Sequence, residues 1–235
     1  MRELIAFVYS FLLLQGIAFA DPADAFVEGY IKKKNIPGVA LLVVRNGAIT
    51  KSQGYGLANV EHQVPVKPET IFQSGSVGKQ FTATAVMMLV EENKLRVTDP
   101  ISKFLKVPDT WKGITIRHLL THTSGLGDYP EQFSLRKDYT EDELLAMITA
   151  QPLGFAPGEK WNYSNLGYVT LGILIRKVTG QYYGDFLRDR VFHPIGMKDA
   201  RIINESDLVS NRAAGYTRVK GKLKNQDWVS PSLNS

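Results

Sequence analysis

Phe72-Gln73-Ser74-Gly75-Ser76-Val77-Gly78-Lys79-Gln80-Phe81 sets a serine three positions before a lysine at the mouth of an apolar helix. Phe81, Ala85, Met88 and Leu89 recur at the spacing of one helix face, which predicts a core helix over about 77–92. Positions i and i+3 share a side of a helix, so Ser76 Oγ and Lys79 Nζ are expected to approach each other at its first turn. Free backbone N–H groups and the positive end of the helix dipole favour a developing alkoxide there, with the lysine as base. The pattern S-x-x-K alone is weak, since ordinary usage of Ser and Lys yields roughly one match in a chain of this length. A second match, Ser134-Leu135-Arg136-Lys137, lies in a polar segment with no helix behind it.

Around this stretch the chain reads as helix, hairpin, then mostly helices. Residues 21–35 have helical character, with Pro22 near the start. The β-branched run 39–44, the turn Asn46-Gly47 and the return 48–55 make a hairpin. A short helix is expected over 98–105 and another over 114–121, followed by a long loop over 122–137. Thr140-Glu141-Asp142-Glu143 is a capping box that opens a helix to about 151. Tyr168, Leu171, Ile175 and Val178 carry a helix that stops at Gly180, and a further helix is expected over 182–191. Weak strand character around 213–219 is the only later hint of sheet. This order predicts an α+β protein, an antiparallel sheet with helices, in which the sheet is incomplete because a lone hairpin is marginal.

Composition narrows the chemistry. The chain has 235 residues, 44% hydrophobic, which is enough for a sizeable core. Residues 4–20 form a short apolar run behind Arg2 that ends Ala18-Phe19-Ala20, the pattern of a cleaved secretory signal. The expected organisation is therefore a signal peptide over 1–20 and one domain over 21–235, exported to a periplasmic or extracellular space, with a membrane contact only if the signal stays uncleaved. With no cysteine, thiol catalysis and Cys-based zinc sites are excluded. The net charge of +5 is spread out, without the aromatic interleaving of a nucleic-acid platform, so no nucleic-acid partner is expected. His62, His118, His122 and His193 show no H-E-x-x-H pattern, and no metal or cofactor is expected. Nothing in the sequence sets the oligomeric state.

Trp161-Asn162-Tyr163-Ser164-Asn165 sits where a loop enters a helix. A phenol there can relay the serine proton and an amide can orient a carbonyl or the lysine, while the bland alternative is a core aromatic with Asn165 as a helix cap. Asn162-Tyr163-Ser164 and Asn204-Glu205-Ser206 also fit the glycosylation acceptor rule, and a glycan on Asn162 would crowd Tyr163, which favours a bacterial setting.

Ser76-x-x-Lys79, His122-Thr123-Ser124-Gly125-Leu126, Pro157-Gly158-Glu159 leading into Tyr163-Ser164-Asn165, and Pro194-Ile195-Gly196-Met197 together resemble the class C β-lactamase-like serine hydrolases. That family includes penicillin-binding D-alanyl-D-alanine carboxypeptidases and esterases. The resemblance implies an antiparallel sheet flanked by helices, with a helical subdomain. Ser76 would be the acylated nucleophile, with its own N–H as one oxyanion donor. Lys79 and Tyr163 would share general base and acid work, and Asn165 would contact the substrate amide or Lys79. Asp128 and Tyr129 would rim the cleft. A tyrosine rather than a serine at the head of the second motif suggests class C-type chemistry over the S-D-N pattern of class A. A β-lactam, a D-Ala-D-Ala-type peptide or a small ester would be the substrate.

The resemblance also implies a third motif, K-T-G or H-x-G, that is not found: Lys177-Val178-Thr179-Gly180 carries an extra residue and ends a helix. The motif is expected beyond Ser235, which makes this chain the N-terminal portion of the domain, with an incomplete sheet and oxyanion hole. The competing readings are a penicillin-binding sensor or scaffold without hydrolysis, or an inactive fragment of the enzyme. An α/β-hydrolase is disfavoured, because Ser74-Gly75-Ser76-Val77-Gly78 has serine where G-x-S-x-G needs glycine.

Overall fold

A computed structural model describes residues 21–131, 133–134, 136–203 and 207–226. The leader over 1–20, Leu135 of the second S-x-x-K match, the acceptor triplet Asn204-Glu205-Ser206 and residues 227–235 lie outside the described residues. The chain divides into two compact units, 1–70 with 211–214, and 71–210 with 215–235.

In the first unit, α1 (Pro22–Lys34) starts where Asp21 accepts a hydrogen bond from the Ala23 N–H at 2.9 Å, and stops at Asn35 in the left-handed conformation. Strands β1 (Gly38–Arg45) and β2 (Ala48–Asn59) pair antiparallel across the Asn46-Gly47 turn, where both residues have positive φ. A short strand, β3 (Val64–Pro65), extends the order to β1-β2-β3 and was not anticipated from the sequence, because two residues carry no alternation to read. Lys51 on β2 ties the helix to the sheet through Asp21 and Asp24, each at 2.6 Å. Donating hydrogen bonds to these carboxylates pushes the Lys51 ammonium up, and the same bonds hold both carboxyls below their usual range.

The second unit holds the core. Its helices are α2 (Lys79–Glu91), α3 (Ile116–Leu120), α4 (Glu141–Thr149), α5 (Asn165–Thr179) and α6 (Tyr183–Leu187). Helix α5 packs against the other four, and every residue from Leu166 to Ile175 is buried. A helix buried on all sides needs apolar residues all round rather than a single stripe, and Leu166, Val169, Leu171, Ile173, Leu174 and Ile175 supply them. The α4 capping box is present, with Thr140 Oγ1 accepting from the Glu143 N–H at 3.2 Å and Glu143 accepting from the Thr140 N–H at 2.8 Å.

Three elements differ from the sequence reading. The expected 98–105 helix is only a 3-10 turn, Ile101–Lys103. The Asp99 carboxylate accepts from the Arg96 N–H at 2.9 Å, and extended Pro100 bridges to Thr115, which uses up the local donors. The expected 182–191 helix changes at Arg188 into a π-turn, Arg188–Phe192, since Pro194 has no N–H to continue an α ladder. The weak strand near 213–219 resolves into a hairpin of β4 (Tyr216–Val219) and β5 (Lys222–Asn225), turned by Lys220-Gly221 at positive φ. Among the described residues the sheet of the first unit has three strands, so the chain is α+β with the sheet incomplete, as expected.

Leu171 is fully buried at the centre of α5. Leu171→Ala is expected to cost about 2–5 kcal/mol through lost burial and a residual cavity. Urea unfolding should show a lower midpoint with an unchanged slope.

Candidate active site

Ser76 lies in a 3-10 turn, Gly75–Gly78, rather than in the α-helix itself, which begins at Lys79. The difference matters for chemistry. With three residues per turn, side chains at i and i+3 eclipse, so the tighter turn lines Ser76 up with Lys79 more directly than an α-turn would. Gly75 enters at φ +52, a conformation other residues adopt at a cost. Lys79 Nζ stands 3.3 Å from Ser76 Oγ.

The second contributor arrives from the loop before α5. Ser164 caps that helix, accepting from the Gly167 N–H at 2.8 Å and donating to the Gly127 carbonyl at 2.9 Å. Asn165 is therefore the first helical residue and not the cap, and its side chain is free for other work. Its Oδ1 accepts from Lys79 Nζ at 2.8 Å and its Nδ2 donates to Asp128 Oδ1 at 2.7 Å. Tyr163 donates its phenol proton to Ser76 Oγ at 2.7 Å. One hydroxyl thus faces an amine and a phenol, and the amine is linked through an amide to a carboxylate. Lys79 Nζ also lies 5.3 Å from the Tyr163 ring centre and 5.5 Å from that of Tyr168, within cation–π range.

Ser76, Lys79, Tyr163, Asn165 and Asp128 are joined by this hydrogen-bond chain. Tyr129 is placed differently. Its backbone N–H donates to Asp128 Oδ1 at 2.7 Å, while its ring packs 6.0 Å from Phe133 against the core. Burial, then the neighbouring Asp128 and Tyr163, push its phenol above the ordinary tyrosine range.

His122 was not singled out as a site residue, yet it sits among these groups. Its ring lies 4.6 Å from Tyr163 and 5.0 Å from Tyr168, and its Nδ1 accepts from the Ser164 N–H at 3.1 Å. Burial, and secondarily the Lys79 charge, hold the imidazole below its usual range. The only signal in the sequence was its place at the head of His122-Thr123-Ser124-Gly125-Leu126. That segment is pinned to the loop before α5 by backbone hydrogen bonds: Gly154 N–H to Gly125 O at 2.9 Å, Gly158 N–H to Thr123 O at 2.8 Å, and Asn162 N–H to His122 O at 2.9 Å. Gly125 has φ +86, and a Cβ there would stand 2.3 Å from the Phe155 carbonyl oxygen.

The beta-lactamase family profile matches residues 23–233. The chain belongs to the beta-lactamase family. A family member from Bacillus subtilis (strain 168), a penicillin-binding protein, is 34% identical over 185 residues, covering 75% of this chain and 41% of its own length. Protein flp of Staphylococcus aureus (strain MW2) is 31% identical over 223 residues, 89% of this chain and 44% of its own. The octameric penicillin-binding protein homologue from Pyrococcus abyssi superimposes with a TM-score of 0.76 at 30% identity, over 86% of this chain and 49% of that one. A class C beta-lactamase structure gives 0.76 at 27% identity, over 89% and 58%. The chain spans about half the length of the curated relatives it matches. Its fold is that of these penicillin-binding and class C beta-lactamase relatives.

Two outcomes follow from the site's packing. Gly125→Ala combines a disfavoured φ with a backbone clash, and is expected to cost more than about 1 kcal/mol and to separate the two loops. Urea unfolding reads the first effect and loss of amide protection at Gly154 and Gly158 reads the second. His122 binds its proton less readily folded than unfolded, so its contribution to stability is complete above the unfolded value near 6.5 and declines as pH falls below it. Unfolding midpoints between pH 8 and pH 5 should therefore drop more steeply for the wild-type chain than for His122→Phe.

Proposed function

We propose that the chain carries the acylating centre of a serine hydrolase of class C type, with Ser76 as nucleophile and Lys79 and Tyr163 as the paired base and acid. The observation that carries this reading is the approach of the Tyr163 phenol and the Lys79 amine to the same oxygen, at 2.7 and 3.3 Å. Ser76 Oγ attacks the carbonyl carbon of an amide or ester, and its proton passes to the Lys79 and Tyr163 pair. The tetrahedral oxyanion collapses, the bond to the leaving nitrogen or oxygen breaks, and the pair returns the proton to the departing atom. Water then attacks the acyl-serine with the same groups in the same roles. Asn165 holds the Lys79 amine toward Ser76, and Asp128 fixes the Asn165 amide so that its oxygen and not its nitrogen faces the lysine.

A β-lactam, a D-Ala-D-Ala-type peptide or a small ester meets these requirements, because each presents one acyl carbon and a leaving group that needs a proton. The penicillin-binding relatives support a lactam probe as the first choice. The apolar leader read in residues 1–20 supports an exported setting, periplasmic or extracellular.

A fluorescent penicillin or a fluorophosphonate is expected to label the chain on the peptide that contains Ser76, read by mass spectrometry. Ser76→Ala should abolish labelling, and Tyr163→Phe should slow it about 10²-fold or more, the usual contribution of a positioned acid–base group. A folded chain that takes up neither probe, or labels equally well as Ser76→Ala, overturns the assignment.

A further inference from the structure

His122 holds three consecutive residues of the loop that delivers the phenol. Its carbonyl accepts from the Asn162 N–H at 2.9 Å, its ring lies 4.6 Å from the Tyr163 ring at 33°, and its Nδ1 accepts from the Ser164 N–H at 3.1 Å. Behind it, the Tyr168 ring lies at 5.0 Å and 32°, so the imidazole is layered between two tyrosines. The residue takes φ +59, an uncommon backbone conformation for a non-glycine, and from it both its main chain and its ring reach the same loop.

We propose that His122 is a positioning residue for Tyr163, and that it performs this role only as a neutral imidazole whose Nδ1 is bare. The proposal rests on the acyl-serine reading above and deepens it. An imidazole that accepts at Nδ1 carries its proton on Nε2. Protonation at Nδ1 would set an N–H against the Ser164 N–H and remove that bond, and with it the constraint on the residue next to Tyr163. The titratable groups facing the ring are the Lys79 amine from α2, the Tyr163 phenol from the preceding loop and the Tyr168 phenol from α5. Asp128 joins the cluster through Asn165 and not through His122. A second positive charge beside Lys79 adds repulsion to the lost hydrogen bond. Acid is thereby converted into a displaced phenol, without protonating any group that touches the reacting carbonyl.

Two variants separate the parts of this role. In His122→Asn the side-chain Oδ1 can replace Nδ1 as acceptor for Ser164, but the layered ring and the titration are gone. In His122→Phe the ring stays and the acceptor is lost. The test follows two readouts between pH 8 and pH 5: nitrogen-15 NMR of the His122 side chain, and the rate of Ser76 labelling by a fluorophosphonate. The expected result is an Nε2–H tautomer with unprotonated Nδ1 at pH 8, a protonation step below pH 6.5, and movement of the Tyr163 ring resonances through the same step. Wild-type labelling should slow through that step. His122→Asn should lose the step, and at pH 8 it should label faster than His122→Phe, which is expected to be about tenfold slower than wild type. An Nδ1–H tautomer, Tyr163 resonances indifferent to the protonation, or a labelling step that survives in His122→Asn each overturns the proposal. If the folded wild-type chain takes no label, the acyl-serine reading fails, while the NMR readout still decides whether His122 positions Tyr163.

Discussion

Two helices of the second unit begin at one place. Lys79 is the first residue of α2 and Asn165 the first of α5, and their side chains meet at 2.8 Å. The Lys79 N–H bonds back to Ser76 O and the Gly167 N–H is taken by Ser164 Oγ, so what the two starts bring to the site is the positive end of each helix dipole. Such a field opposes an ammonium and favours an anion. The Lys79 amine is held there by an amide oxygen that accepts from it, with a carboxylate behind the amide. The anion that the field favours is the one expected on Ser76 Oγ, or on a carbonyl oxygen held against it, during acyl transfer. The fold therefore sets the electrostatics of the site by where its helices start, before any single side chain is considered.

Much of this arrangement was readable from spacing. S-x-x-K fixed the serine and lysine on one side of a turn, the loop-to-helix junction placed Tyr163 and Asn165 at a helix start, and buried periodicity with Gly180 at the end defined α5. What escaped reading was set by tertiary contacts. The 3-10 geometry at Ser76 depends on Gly75 at positive φ, and glycine letters alone do not report a sign. The exchange of roles between Ser164, which caps, and Asn165, which faces Lys79, depends on Gly127 and Asp128 arriving from a distant loop. Helical content at 98–105 was overestimated because the Asp99 carboxylate turns back onto the Arg96 N–H and Pro100 bridges to distant Thr115. His122 was not picked out as a site residue, since its neighbours Tyr163 and Ser164 are some forty positions away.

The first unit follows a different logic. Its sheet is small, and the tie between helix and strand is ionic, with Lys51 bridging two carboxylates. The catalytic candidates all belong to the second unit, whose interior is a continuous apolar cluster around α5. Rigid placement of side chains is better served by that kind of surrounding, where close packing leaves few alternative rotamers.

The phenol and the hydroxyl to which it donates are 87 positions apart along the chain. Closing so long a span carries an entropic cost that local turns do not repay, so the pair depends on α2, the 122–128 segment and α5 being docked together. Partly folded copies of the chain thus hold a serine and a lysine in register but no phenol. The Ser76–Lys79 contact reports only on a local turn, whereas the Ser76–Tyr163 contact reports on the docking of distant parts of the chain.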